Sequence, residues 1–211
     1  MASLHRRFVS VVELIPDSYV TRLDLPKIFG RAAPLHVDLG CGDGSFLSAL
    51  AERMPGENFL GIERLLGRVR SACRKAARID NMRVIRVETS YAVRYLLPEQ
   101  SVQVFHLLFP DPWPKRRHQR RRVMTSEFLR SVHRALAPQG VLRIATDQLD
   151  YFEQMQRLAR ADPQFAIVDP LLATPVGVDD VDLPLTKFER KFQQHAVPIH
   201  RLALRKVSPV M

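Results

Sequence analysis

The chain has 211 residues, of which 46% are apolar and 26% are charged. These values are typical of a globular protein with one substantial domain, and they exclude a disordered, collagen-like or coiled-coil chain. The 32 Lys and Arg residues outnumber the 22 Asp and Glu residues and give a net charge of +10. Such an excess suits a polyanionic partner, although composition alone is equally compatible with a basic surface that only keeps the protein soluble.

The cysteines and the apolar runs indicate the cellular compartment. The two cysteines form no CxxC pair, which argues against a disulfide framework and against a structural zinc site. The longest nearly uncharged apolar runs, such as residues 102–109, are shorter than the roughly 18 residues of a membrane helix. Glu13 interrupts the apolar stretch near the N-terminus, which argues against a signal peptide. We therefore expect a cytoplasmic protein without a metal site or a membrane partner.

Residues 1–33 lack clean periodicity and predict an N-terminal extension with one helix, ahead of a domain that spans residues 34–211. Within that domain, short apolar runs alternate with segments whose apolar residues recur at helical spacing. The runs predict strands over 35–39, 58–63, 82–87, 102–109 and 140–145, and the periodic segments predict helices over 45–53, 65–79, 91–97, 124–136 and 151–161. Two further strands are predicted over 165–168 and 201–207, separated by a loop rich in Pro and Asp.

This order of elements predicts an α/β fold. Strands that alternate with helices form a mostly parallel sheet, here of seven strands, with helices on both faces. The last two strands, with a hairpin-like connection that lacks a long helical pattern, predict an antiparallel edge strand.

A glycine-rich turn follows the first predicted strand, in the segment HVDLGCGDG at residues 36–44. Gly40, Gly42 and Gly44 leave a ligand free to approach the backbone at the carboxyl end of that strand. A dinucleotide fingerprint needs the spacing G-x-G-x-x-G, which is absent here. The G-x-G-x-G spacing, with Asp38 two residues before the first glycine, instead resembles the cofactor loop of class I S-adenosylmethionine-dependent methyltransferases, whose fold is Rossmann-like.

Carboxylates also stand at the ends of the next two predicted strands. Glu63 follows Gly61 and Ile62, at a position where its oxygens can accept hydrogen bonds from the ribose hydroxyls of a bound adenosine. Glu88 ends the third strand, from where it can reach an adenine edge. One acid of this kind is usually a solvated strand terminus, but three at successive strand ends around one glycine turn predict a cofactor site.

The fourth predicted strand runs into the sequence FPDPWPK at residues 109–115. Three prolines around Asp111 and Trp113 stiffen the chain where a methyl acceptor would lie. A rigid structural loop is the usual meaning of such a segment. However, a fixed carboxylate and a flat aromatic side chain are what base recognition requires, because the carboxylate accepts hydrogen bonds from the base and the aromatic ring stacks on it.

Cations follow at once, in the run KRRHQRRR at residues 115–122. The run has no carboxylate to neutralise it, so it predicts a track of phosphate contacts beside the site rather than a solvated helix start. The predicted phosphate contacts are Arg116, Arg117, Arg120, Arg121 and Arg122.

Five segments together resemble the bacterial tRNA (guanine-N7)-methyltransferase family: DLGCGDG, GIE, FPDPWPKRRHQRRR, ATD at 145–147 and TKFE at 186–189. The likeness extends from residue 26 to the C-terminus, and the PDPWPK block followed by arginines is its most specific part. It implies that S-adenosyl-L-methionine donates a methyl group to N7 of a guanosine in the variable loop of tRNA, which becomes 7-methylguanosine.

The resemblance also implies roles for individual residues. Cofactor-binding positions are Asp38, Glu63, Glu88 and Asp111, and Asp111 is also the active-site position. Substrate-binding positions are Lys115, Asp147, Thr186, Lys187, Phe188 and Glu189. The family often has Tyr in place of Phe188, Glu in place of Asp38 and Asp in place of Glu88.

The chemistry of N7 limits what the protein must supply. N7 of neutral guanine carries a free lone pair, so the transfer needs no general base, whereas the purine becomes cationic as it reacts. We therefore predict that Asp111 orients the base and stabilises its growing charge. Asp147 and Glu189 are predicted to hold the base or ribose from the other side.

Other functions compete with this one. A methyltransferase acting on another RNA, or on an exocyclic amine, would carry two adjacent prolines after its Asn or Asp, whereas Trp113 separates Pro112 from Pro114 here. A non-catalytic RNA-binding module would be expected to lose an acid of the cofactor site, and an oxidoreductase is disfavoured by the glycine spacing. The sequence leaves monomer and homodimer open.

Overall fold

The computed structural model describes residues 12–170 and 183–207. Residues 1–11 of the predicted N-terminal extension and residues 171–182 of the predicted Pro- and Asp-rich loop lie outside the described residues. The described strands are β1 (Glu13–Leu14), β2 (Leu35–Leu39), β3 (Asn58–Glu63), β4 (Met82–Arg86), β5 (Val102–Leu108), β6 (Leu136–Thr146), β7 (Phe165–Val168) and β8 (His200–Lys206). The helices are α1 (Leu25–Phe29), α2 (Ser45–Arg53), α3 (Leu66–Ala76), α4 (Thr89–Tyr91), α5 (Ser126–Ala135), α6 (Leu149–Ala161) and α7 (Lys187–Gln194), with a π-helical turn at Ala92–Leu96 and a 3₁₀ helix at Arg116–Arg121.

All described strands form one sheet in the order β1-β4-β3-β2-β5-β6-β8-β7. The α/β prediction with an antiparallel edge is confirmed, and only the number of strands is corrected. The sheet has eight strands rather than seven, because the short β1 pairs in parallel with β4. At the predicted antiparallel edge, β8 runs antiparallel to both β6 and the edge strand β7.

The strands are covered on both faces by helices with apolar stripes. On one face Phe46, Leu47 and Leu50 of α2 pack with residues of α3 against β3 and β4. On the other face α5 shows how sequence determines the packing: Thr125 caps the helix by accepting a hydrogen bond from the Phe128 amide, and Phe128 and Val132 are buried at helical spacing.

The described part of the predicted extension, residues 12–33, lies against this domain. Leu23 and Phe29 are buried in the larger core cluster, and the Leu23 amide donates a hydrogen bond to the Leu96 carbonyl. The division of the chain at residue 33 stays a prediction.

A helix was missed near the C-terminus. The sequence predicted only a loop between the last two strands, yet α7 occupies Lys187–Gln194. The helix has only eight residues and its one buried residue is Glu189, so the sequence offers no stripe of buried apolar residues from which to predict it. The spacing Thr186-x-x-Glu189, which forms a capping box, was the local signal for its start.

No described helix is long and apolar enough to cross a membrane.

The order of the strands indicates where on the sheet a ligand would bind. From β2 the chain builds outward through β3 and β4 on one side and, after returning to β5, through β6 on the other. The carboxyl ends of β2 and β5 therefore flank the point where the order reverses, which is where open α/β sheets bind ligands.

Candidate active site

A cavity of about 630 Å³ opens at the carboxyl ends of β2, β3, β4 and β5. Five of the predicted site residues line it: Gly40, Glu63, Glu88, Asp111 and Arg121. Trp113 lines it as well, together with Arg64, Leu65, Arg68 and Thr89, which the sequence did not single out. Gly42, Gly44 and Asp38 do not line it, but the Gly42 amide donates a hydrogen bond to Glu63, which does.

The glycine turn is held against β3 by backbone hydrogen bonds. The amides of Gly40 and Cys41 both donate to the Ile62 carbonyl, each at 2.9 Å. Gly44, in a left-handed conformation with φ of +74°, lies so close to α3 that a Cβ atom would stand 2.7 Å from the Ala72 Cβ. A side chain at this position would push α2 away from α3, so glycine sets the geometry of the whole turn.

Glu63 connects this turn to α3. Its buried carboxylate accepts hydrogen bonds from the amides of Gly42 (3.1 Å), Arg64 (2.8 Å) and Leu65 (2.9 Å). A carboxylate has about four lone-pair directions, so Glu63 keeps limited capacity for a further donor from the cavity.

Asp38 lies close behind Glu63 on β2 and is 4% exposed. Burial first, and then the charge of Glu63, raise the pKa of Asp38 to about 7. Two acids thus share one buried region, which favours a cationic ligand.

Glu88 stands at the cavity as the N-cap of α4. Its two oxygens accept hydrogen bonds from the amides of Ser90 (3.0 Å) and Tyr91 (2.8 Å). The capping interaction fixes the carboxylate at the rim.

The segment from Phe109 to Trp113 forms the opposite wall. Both end residues have left-handed backbones, with φ of 52° at Phe109 and 41° at Trp113, a conformation that costs energy for aromatic residues. Asp111 between them is exposed, and no described residue donates a hydrogen bond to its carboxylate. Backbone strain at both ends of a short segment that presents an exposed acid is typical of a functional loop.

Aromatic and cationic side chains buttress this segment. The guanidinium of Arg121 lies 4.9 Å from the centre of the Trp113 ring. The His118 ring packs edge-on against the same ring, with 5.9 Å between the two ring centres. Lys115, Arg116, Arg117 and Arg120 are exposed along the adjoining 3₁₀ helix.

Arg122 departs from the prediction. Its side chain is only 2% exposed, forms an ion pair with Asp150, donates to the Gln154 side chain (2.6 Å) and to the Pro112 carbonyl (2.8 Å), and lies over the Tyr151 ring. A guanidinium engaged in this way cannot track a phosphate backbone. Arg122 is therefore a structural residue that anchors the loop, and its assignment to the phosphate track was wrong.

The TKFE segment begins α7. The Thr186 hydroxyl accepts a hydrogen bond from the Glu189 amide, and the buried Glu189 carboxylate accepts from the Thr186 amide and from Arg201 (2.8 Å). Phe188 is 51% exposed and lies 5.8 Å, between ring centres, from Phe109.

Asp43 joins α7 to the glycine turn. Its carboxylate forms ion pairs with Lys187 of α7 and with Lys75 of α3, the latter at 2.6 Å. Although burial raises the pKa of Asp43, the hydrogen bonds from these two lysines lower it well below its usual value. No local pattern around Asp43 in the sequence indicates that it links α7 to the glycine turn.

Asp147, at the end of β6, accepts a hydrogen bond from its neighbour Gln148 (2.6 Å). Neither Asp147 nor the residues of α7 line the cavity itself, so the structure separates these predicted substrate positions from the predicted cofactor positions.

A family model described as "Putative methyltransferase" matches residues 32–202. The tRNA (guanine-N(7)-)-methyltransferase of Leifsonia xyli subsp. xyli is 41% identical over 189 residues, covering 87% of this chain and 81% of that protein. The enzyme of the same name from Halorhodospira halophila is 38% identical over 186 residues, covering 87% and 79%.

The chain belongs to the tRNA (guanine-N(7)-)-methyltransferase family.

Solved structures show how this family member is folded. The antibiotic-resistance methyltransferase Kmr superposes with a TM-score of 0.59 at 19% identity, covering 90% of this chain and 94% of that one. A geranyl diphosphate C-methyltransferase from Streptomyces coelicolor, solved with S-adenosyl-L-homocysteine, superposes with a TM-score of 0.53 at 17% identity, covering 85% and 72%. At these identities the likeness establishes the class I methyltransferase fold and nothing finer.

Proposed function

We propose that this protein transfers a methyl group from S-adenosyl-L-methionine to N7 of a guanosine in the variable loop of tRNA, giving 7-methylguanosine. The observation that carries the proposal is the position of Asp111. Its exposed carboxylate stands in a strained segment on the wall of the same cavity that Glu63 and the glycine turn line.

The residues on the cofactor side fit an adenosyl ligand. Cβ atoms added at Gly40 or Gly42 would meet nothing within 4 Å, so the turn leaves open space beside the backbone. Glu63 would accept hydrogen bonds from the ribose hydroxyls, and Glu88 would hold the adenine edge. Asp38 and Glu63 together would favour the positive charge of the ligand. When bound, S-adenosyl-L-methionine supplies an electrophilic methyl group on a cationic sulfur.

On the substrate side, the protein has to orient a base. Asp111 would hold the guanine so that its N7 lone pair faces the methyl group, and its negative charge would stabilise the purine as it becomes cationic. Lys115, Asp147, Thr186, Lys187, Phe188 and Glu189 would bind the nucleotide from the other side. Of these, Thr186 and Glu189 act through the capping box that orients α7, and the exposed Phe188 ring is available for stacking.

Exposed cations beside the cavity would contact the RNA backbone. Arg116, Arg117 and Arg120 project from the 3₁₀ helix, and Arg121 stacks on Trp113 at the cavity wall. Their charge would attract RNA and contribute most of the salt dependence of binding.

A substrate in which N7 is replaced by carbon tests the site of methylation directly. The protein is incubated with labelled S-adenosyl-L-methionine and two tRNA transcripts, one containing guanosine and one containing 7-deazaguanosine throughout. We expect label only in the guanosine transcript, and 7-methylguanosine in its nuclease digest. Equal label in the 7-deaza transcript would show that another atom is methylated.

The position within tRNA is tested with a transcript whose variable-loop guanosine is replaced by adenosine. We expect this change to abolish labelling, whereas a guanosine-to-adenosine change in the anticodon loop leaves it intact. Labelling that survives the variable-loop change would assign the activity to another guanosine.

A further inference from the structure

Helix α3 carries a one-sided cationic surface that the proposed function does not use. Residues 64–79 contain six Lys and Arg residues and no Asp or Glu. These cations are Arg64, Arg68, Arg70, Arg74, Lys75 and Arg78, and all of them are exposed.

The spacing places three arginines in one row. Arg70 and Arg74 lie four residues apart on the outer side of α3, and Arg78 follows after four more, in the turn beyond the helix. Residues four apart are neighbours on a helix surface. Val69, Ala72 and Ala76, on the inner side, are buried in the core. We name the row Arg70, Arg74 and Arg78 the α3 basic face.

This arrangement weakens the helix that bears it. Arg70 and Arg74 repel each other as a like-charged pair four residues apart. Arg68 stands in the first turn, where the helix dipole disfavours a cation, and that turn has no acidic residue. Charged residues at positions that destabilise a helix are expected where function requires those charges.

Few carboxylates neutralise these charges. Among the described residues, Arg68 is 3.8 Å from Glu63 and Lys75 is 2.6 Å from Asp43. In the same part of the chain no ion pair engages Arg70, Arg74 or Arg78. The α3 basic face is therefore available to an external anion.

Other cations of the same segment reach the candidate active site. Arg64 and Arg68, at the start of α3, line the cavity wall on the side of β3, whereas Arg121 lines it from the 3₁₀ helix. A chain of phosphates that crosses the cavity mouth would meet cations on both sides.

We propose that the α3 basic face binds the sugar-phosphate backbone of a double-helical segment of the same RNA whose nucleotide enters the cavity. The inference rests on the proposed function. Base pairs in A-form RNA are read poorly by side chains, so a row of arginines against phosphates is suited to recognising a stem by its shape and charge. Contacts on both sides of the cavity then fix the position of the single nucleotide between them.

A charge-neutral variant of the face tests the proposal. In Arg70→Gln/Arg74→Gln/Arg78→Gln, Gln retains a good helix propensity and removes three charges. The matched control is Arg130→Gln/Arg157→Gln/Arg160→Gln, which removes three exposed charges from α5 and α6 on the other face of the sheet. Both variants are assayed for tRNA binding over a salt series, for S-adenosyl-L-methionine binding and for methylation at saturating tRNA.

We expect the α3 variant to raise the Kd for tRNA about tenfold or more and to reduce the salt slope by about 0.7 to 0.9 for each lost phosphate contact. Its cofactor affinity and its rate at saturating tRNA should match those of the parent. The control should match the parent in all measurements. An α3 variant that behaves like the control overturns the proposal.

A second substrate separates a stem from a general attraction for RNA. A short single-stranded oligonucleotide that contains the target guanosine should bind the parent and the α3 variant equally. Equal losses on the oligonucleotide and on tRNA would overturn the assignment to a double-helical segment. If the parent itself neither binds nor methylates tRNA, the proposed function fails, whereas a normal parent with an unaffected α3 variant refutes only this inference.

Discussion

The two walls of the cavity are built differently. On the β2 and β3 side, backbone amides hold the site: Glu63 accepts three of them, and the glycine turn is bonded to Ile62. On the β5 side, Asp111 is exposed and held by left-handed backbone at Phe109 and Trp113. The first wall has its carboxylates fixed by hydrogen bonds within the protein, whereas the second presents an exposed charged group to solvent.

This difference predicts which measurements respond to mutation at each wall. Residues of the first wall should control cofactor affinity and local stability together, because the same hydrogen bonds serve both. Residues of the second wall should control the rate and tRNA binding, with little effect on folding.

The largest effect is expected at Asp111. Asp111→Asn preserves the shape of the side chain but removes the charge that would balance the cationic purine. We expect a loss of about 10²-fold or more in single-turnover rate, the size typical of removing a fixed electrostatic group. Thermal stability should not change, since no described residue bonds to this carboxylate. Asp111→Ala and cofactor binding are measured alongside, and near-parental rates in both variants would shift the role to Asp147 or Glu189.

Glu63 should affect cofactor affinity and stability together. Glu63→Gln loses the charge and one of the two acceptor oxygens, which leaves an NH2 group against a backbone amide and should lower the melting temperature. The Kd for S-adenosyl-L-methionine should rise roughly tenfold, because a charge-assisted hydrogen bond contributes about 1.5–3 kcal/mol. Glu63→Ala leaves the amides of Gly42, Arg64 and Leu65 without their acceptor and should also lower the melting temperature. Calorimetry and thermal unfolding of both variants test this. A Glu63→Ala variant that melts at the parental temperature would contradict the contribution of Glu63 to stability.

Arg122 and its exposed neighbours should respond in opposite ways. Arg116→Ser/Arg120→Ser should flatten the salt dependence of tRNA binding by about 0.7 to 0.9 per lost phosphate contact and leave stability unchanged. Arg122→Ser should instead lower the melting temperature, because it removes hydrogen bonds to a charged group worth about 1.5–3 kcal/mol each. If Arg122→Ser instead keeps the parental melting temperature and flattens the salt dependence of tRNA binding, Arg122 contacts phosphate as the sequence predicted.

The sequence predicted the first wall better than the second for a physical reason. Glycine spacing and acids at strand ends are local patterns, and the boundaries of β2, α2 and β3 agree with prediction to the residue. The partners of Arg122, in contrast, lie 28 and 32 residues further along the chain, and nothing next to Arg122 distinguishes it from Arg121. The contacts of α7 with Phe109 and Asp43 likewise depend on tertiary packing.

The pH dependence of stability tests the buried acids of the first wall. The pKa of Asp38 in the folded protein, about 7, lies above its ordinary value of 3.8. The folded state therefore binds more protons than the unfolded state between these values, and stability falls as pH rises from about 4 to 7. Asp38→Asn should remove this fall in stability. The melting temperature of the variant minus that of the parent should therefore increase from pH 5 to pH 8. Parallel profiles would show that Asp38 is already charged.

The smallest effect is expected at the contact that joins the two walls. Lys187 reaches from α7 to Asp43 in the glycine turn, but its side chain is 64% exposed, so the ion pair contributes at most about 1 kcal/mol. Lys187→Met keeps most of the side-chain length and removes the charge. If the pair aligns α7 with the cofactor turn, the KM for tRNA should rise a few-fold while the Kd for S-adenosyl-L-methionine stays near the parental value, because Lys75 still holds Asp43. Lys191→Met, on the same helix and without an ion pair among the described residues, is the matched control. An equal rise in KM for both variants would mean that Lys187 contributes only general charge toward RNA, and the walls would then act independently.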